Sequence, residues 1–179
     1  MLALRTLLTA AALLLIVCAT PLFGQGLPIT ITKAFNPDMV TVGGSATTTM
    51  TVTITNPNSF QVTGINFSDT YPAGLVPDQV GAYTCGTLGS SAAFNASGWS
   101  FTNVTLSAGG SCSVPMLMHA TTLGVITNTT SQVTGTGVPA GGPASADLNV
   151  VAAITPTLSE WMLLAFAVSI AVIAALRLT

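Results

Sequence analysis

The stretch ATTTMTVTIT, Ala46 to Thr55, leaves the chain little conformational choice. Met50, Val52 and Ile54 alternate with Thr49, Thr51, Thr53 and Thr55, so an extended backbone sends one set to each face. One face can pack while the other presents hydroxyls. The β-branched threonine, valine and isoleucine residues also suit a pleated surface.

The alternation returns in WSFTNVTL, where Trp99 and Phe101 give way to a shifted pair, Val104 and Leu106, and in CSVPMLM through Cys112, Val114, Met116 and Met118. Turn-forming residues separate these runs: Asn56-Pro57-Asn58, Pro72-Ala73-Gly74, Gly109-Gly110 and Gly141-Gly142-Pro143. Pro72 and Gly74 predict a type I turn with proline second and glycine fourth, and Asp69 is placed to close an Asx-turn ahead of it. Pro115, inside a strand, predicts an edge or a bulge, because proline has no N–H to give a ladder. Residues 25–151 show no helical periodicity. Many short strands punctuated by turns predict an all-β domain, a β-sandwich, over that range. A domain of this length can bury roughly two-thirds of its unfolded surface around one core.

The two ends read differently. Half of the residues are apolar and only 4% are charged, against roughly 25% charged in an average soluble domain. Much of the apolar excess is terminal. Leu7 to Leu15 form a Leu- and Ala-rich run behind Arg5, followed by the small or turn-forming Ala19, Pro21 and Gly24. This layout predicts a signal peptide over residues 1–24 and export through the inner membrane. Cys18 offers a lipoprotein alternative, but Leu15, Ile16 and Val17 lack the small residue that lipidation expects before the cysteine.

At the other end, residues 152–160 read as a linker and 161–179 as an apolar segment with a short basic tail. The uncharged run from Trp161 to Leu176 lies between Glu160 and Arg177. At about 1.5 Å per residue it reaches only about 24 Å, short of the roughly 30 Å hydrocarbon core. A marginal transmembrane helix is expected, with Arg177 favouring a cytoplasmic C-terminus and the body outside the inner membrane.

Beyond Cys18 the sequence holds two cysteines, Cys85 and Cys112. In an exported chain an even count is expected to oxidise, which predicts a Cys85–Cys112 disulfide; two free buried thiols are the alternative.

Candidates for chemistry are few. A net charge of −2 with three Lys and Arg residues gives no basis for phosphate recognition, so nucleic acid is not an expected partner. His119 is the one histidine, which leaves no His cluster for a metal and no second base for a nucleophile. Asp38, Asp69, Asp78, Asp147 and Glu160 are scattered, four of them beside turn residues where aspartate commonly caps backbone, and no calcium-loop spacing is present. Neither an enzyme nor a cofactor is expected. The N-x-S/T sequons at Asn66, Asn95, Asn103 and Asn128 carry no weight in a chain this rich in such residues. Tyr71, Tyr83 and Trp99 are the candidate stacking platforms of a carbohydrate-binding alternative, although Trp99, in an alternating strand, is expected in the core.

Two resemblances add to this reading. KAFNP (Lys33 to Pro37), VGGSATTTMTVTITNPN (Val42 to Asn58), DTYPAGL (Asp69 to Leu75), Cys85-Gly86 and AGGSC (Ala108 to Cys112) together resemble a DUF-eleven-like conserved repeat module of bacterial surface proteins. The resemblance covers most of Ile29 to about Thr130 and implies an immunoglobulin-like β-sandwich without catalysis. ITPTLSEW, followed by an apolar run and a basic residue, resembles the IPTL-CTERM sorting signal, a relative of the PEP-CTERM signals handled by exosortase-type membrane proteases. Pro156, Thr157, Leu158, Ser159, Glu160 and Trp161 match it; Thr155 stands where the motif has isoleucine, and Arg177 alone replaces an arginine-rich end. The resemblance implies a membrane-anchored precursor whose partner is the protease, and a product at the cell surface or in the extracellular matrix. Association with itself or with extracellular polysaccharide is the expected role there, since little charge opposes close packing.

Overall fold

The computed structural model describes residues 26–43, 46–86, 88–153 and 158–177. Its strands are β1 (Thr30–Asn36), β2 (Met39–Thr41), β3 (Thr47–Thr55), β4 (Val62–Thr70), β5 (Leu75–Val80), β6 (Ser91–Asn95), β7 (Gly98–Leu106), β8 (Ser111–Ala120), β9 (Gly124–Thr129) and β10 (Ser145–Val151), followed by helix α1 (Leu158–Arg177). The segment read as a signal peptide, Cys18 included, lies outside the described residues.

One sheet has the order β1-β3-β8-β5, antiparallel throughout. Two three-stranded sheets, β4-β7-β6 and β2-β10-β9, complete the sandwich. Isolated pairings of Asn66 with Thr134 and of Asp69 with Thr130 join β4 to the chain that follows β9. All three sheets contribute to one core that includes Met50, Val52, Ile54, Phe67, Phe101, Val114, Met118, Ile126 and Leu148. The alternation in β3 is realised as expected, with Met50, Val52 and Ile54 fully buried and the intervening threonines half-exposed.

The shifted pattern in WSFTNVTL has a structural cause. The β4–β7 register slips between Val62 and Ile65 and again between Ile65 and Phe67, and Asn103 adopts a left-handed φ of 57°. This irregularity lets Phe101 and Val104, an odd number of residues apart, both face the core. Asn103 is held there by its N–H to Asn66 Oδ1 at 3.0 Å and by its amide to the Gly89 carbonyl at 3.0 Å.

Two local expectations need correction. The turn after β4 closes one residue later than the type I reading placed it, with Leu75 N–H donating to the Pro72 carbonyl. Gly74 therefore takes the third position with φ 89°, which is the glycine requirement of a type II turn. Pro115 is not on an edge, because β8 runs between β3 and β5. Its carbonyl accepts from Gly81 N–H, just past the end of β5. The missing proline N–H thus faces the side where the neighbouring strand has already ended, and no ladder bond is lost.

The C-terminus follows the sequence reading in part. Its apolar segment is helical, as α1, and its described side chains, from Trp161 and Met162 to Ile173, are exposed. Among the described residues, however, no helix is long and apolar enough to cross a membrane.

Candidate functional site

The sequence contains a single lysine, and the fold buries it. Lys33 sits between Ile31 and Phe35 in the alternation of β1, so the pleat turns it inward with them. Its Nζ donates to Asp69 Oδ2 at 2.8 Å, and both side chains are 0% exposed. Asp69 lies on β4 opposite Trp99 of β7. Asn128, on β9, is inward for the same reason as Ile126 two residues earlier. Its Nδ2 donates to the same Asp69 Oδ2 at 3.0 Å and lies 3.2 Å from Met50 Sδ. One carboxylate oxygen therefore holds an amine from β1 and a carboxamide from β9. The carboxamide oxygen of Asn128 is buried without a hydrogen-bond partner.

Burial at this site works against the charged form of each partner. Burial pushes the Lys33 ammonium below the usual lysine range, opposed by its hydrogen bond to Asp69 and then by the charge of Asp69. Burial likewise raises Asp69, opposed by Lys33, by Asn128 and by the Thr70 backbone. Both shifts move the shared proton from amine toward carboxylate. Tyr71 is also raised, by burial first and by the Asp69 charge second.

None of the three residues was singled out by sequence reasoning as part of one site. Asp69 was expected to cap a turn and instead is sealed in the core by its ion pair; Asn128 was read only as a sequon. The available signal was Lys33 itself, a cation at an inward position of an alternating strand between two apolar residues.

The predicted disulfide is present. Cys85, on the segment after β5, bonds to Cys112 on β8 with a Cα–Cα distance of 4.8 Å, and both residues are buried. Replacing both with alanine is expected to cost about 3.5 kcal/mol by the chain-entropy relation for a loop of this size. The urea midpoint of the variant against the oxidised parent measures it.

Of the sorting residues, Pro156 and Thr157 lie outside the described residues. Leu158, Ser159 and Glu160 open α1, Trp161 follows 60% exposed, and Arg177 ends the helix. His119 pairs with Asp78 at 2.7 Å on partly exposed side chains, and Asp147 accepts from the Thr127 hydroxyl at 2.6 Å. No group of acids, histidines and cysteines able to hold a metal occurs among the described residues. Trp99 is 3% exposed and packs edge-on against Phe67 and Phe101, so it cannot serve as a sugar platform. Tyr71 is half-buried with its hydroxyl inside, which leaves Tyr83, itself leaning on Phe94 and Phe101. The concavities are open and small, about 250 Å³ for one lined by Phe67, Ser100, Phe101 and Ser131.

A disulfide-tied, immunoglobulin-like β-sandwich with a charge pair sealed in its core is the class of domain these features define. The chain belongs to the family described as Domain of unknown function (DUF7933), whose match covers residues 28–150. No curated protein matches it. Among solved structures it is similar to a D312A form of BcpA, the major pilin subunit of Bacillus cereus, at 11% identity and a TM-score of 0.55, over 69% of this chain and 40% of that one. It is also similar to the full-length major pilin SpaD of Corynebacterium diphtheriae, at 13% identity and a TM-score of 0.51, over 66% of this chain and 35% of the pilin. A collagen-binding domain from a Staphylococcus aureus adhesin aligns at 14% identity and a TM-score of 0.46, over 70% of this chain and 97% of the domain. The chain spans less than half the length of the pilins it matches. At these identities the likeness to the two pilins shows a shared fold alone.

Proposed function

We propose that this protein is an exported, non-enzymatic component of a cell surface or extracellular matrix, delivered as a membrane-held precursor and processed at its C-terminus by an exosortase-type protease. The Cys85–Cys112 disulfide carries the first half of the reading, because such bonds persist in oxidising compartments outside the cytosol. An immunoglobulin-like sandwich with small, open concavities supports a role in association rather than turnover. The outward threonines of β3 and a net charge of −2 suit packing against copies of itself or extracellular polysaccharide.

The second half rests on PTLSEW and on α1. A helix that is apolar on all sides needs an apolar host, and the exposed Leu163, Phe166, Val168 and Ile170 make α1 such a helix. A segment too short to span comfortably suits a temporary hold in the membrane rather than a permanent anchor. Pro156 biases Thr155 to an extended backbone that a protease can enter.

C-terminal peptide mapping of the protein recovered from envelope and from culture medium tests this. The expected result is a C-terminus within Thr157 to Trp161 in the mature pool. Recovery of intact Thr179 from every fraction would overturn the sorting reading and leave a tethered, adhesive envelope module.

A further inference from the structure

We propose that Lys33 and Asn128 become joined by a covalent amide between their side chains, formed within the folded domain with Asp69 as the proton carrier. Nothing in this rests on the sorting reading; it follows from which groups the fold has gathered. A primary amine, a carboxyl group and a carboxamide share one desolvated point in the core, and the amine and carboxamide nitrogens both contact the same oxygen, Asp69 Oδ2, at 2.8 and 3.0 Å. As a plain ion pair this arrangement is hard to account for. The desolvation cost of two buried charges commonly matches or exceeds their attraction, and this is the one lysine of the chain. It sits where an apolar residue would pack between Ile31 and Phe35.

The chemistry balances without any co-reactant. Lys33 gives its extra proton to the Asp69 carboxylate, which burial favours for both groups. The neutral Nζ attacks Cγ of Asn128, whose carboxamide oxygen has no hydrogen-bond partner. The Cγ–Nζ bond forms as the Cγ–Nδ2 bond breaks. One proton travels from Nζ through Asp69 Oδ2 to Nδ2, and ammonia leaves. Water, which would otherwise solvate the amine and compete for the carbonyl, is excluded by burial of all three side chains. The product removes the cation from the core and leaves a neutral amide. It ties β1 to β9 and encloses most of the domain in a covalent loop, so that a pull on the two ends of the sandwich would bear on this bond.

The test is a peptide map of the full-length wild-type chain after reduction of the disulfide. One branched peptide joining the Lys33 segment to the Asn128 segment is expected, lighter than its two parts by one ammonia. Intact mass alone is insufficient, because an asparagine succinimide also loses ammonia. Unbranched Lys33 and Asn128 peptides in the wild type would overturn the proposal, as would an ammonia loss located elsewhere. Asn128→Ala is expected to give only unbranched peptides. Asp69→Ala is expected to lose the branched peptide too, and its persistence at wild-type yield would remove Asp69 from the mechanism. Since the wild-type map decides the main point, a variant that failed to fold would not shelter the idea.

Discussion

Asp69→Ala should destabilise the domain by at least about 3–5 kcal/mol, the cost of leaving a buried charge without its partner. The Lys33 side chain is 0% exposed, and Asp69 is the acid that pairs with it, at 2.8 Å. Urea unfolding monitored by tryptophan fluorescence measures the loss, since Trp99 lies opposite Asp69 in the ladder. Adding Lys33→Met to that variant should restore stability by a similar amount, because the second change removes the stranded charge and fills the space with an unbranched apolar chain. A double variant no more stable than Asp69→Ala alone would show that the charge is not the source of the loss.

Phe101→Ala is the second large effect, expected at about 3–5 kcal/mol from lost transfer energy and the cavity left behind. Phe101 is fully buried at the centre of an aromatic group. It stacks on Phe67 at 5.3 Å and meets Tyr83, Phe94 and Trp99 edge-on at 5.3, 5.7 and 5.8 Å. Those contacts bring together β4, β6, β7 and the segment after β5, so little of the surroundings can close over the gap. Typical domains have only 5–15 kcal/mol in hand, so the variant should be marginal. Phe101→Leu, which keeps more of the volume, should cost about 1.5 kcal/mol. Equal losses for the two variants, read from urea midpoints at unchanged slope, would contradict the packing explanation.

The strand content of this domain was legible because its signal is local. Met50, Val52 and Ile54 alternate within one short stretch, and any extended backbone must separate them from the threonines between. The shift from Phe101 to Val104 was visible for the same reason, and the structure explains it by a slip of register. Features that depend on a neighbouring strand were not legible. Pro115 was expected on an edge or at a bulge, yet β8 is interior, and what makes the proline acceptable is that β5 ends beside it. Asp69 was expected to cap a turn three residues before Pro72, yet its surroundings are set by β1, β7 and β9.

The disulfide lies between these cases. With Cys85 and Cys112 the two cysteines of the body, their pairing needed no geometry, only an oxidising compartment. The ion pair needed geometry entirely. Lys33 and Asp69 are 36 residues apart in sequence, and Asp69 and Asn128 are 59 apart, so no local pattern connects them. By itself the sequence determined that the chain forms alternating strands, that Cys85 and Cys112 are the cysteines of the body available to pair, and that few groups are available for chemistry. Only the tertiary structure decided that the single lysine turns inward to meet one particular acid, and that this acid also holds one particular amide, because the register between strands is set by the packing of the whole core and not by any stretch of it.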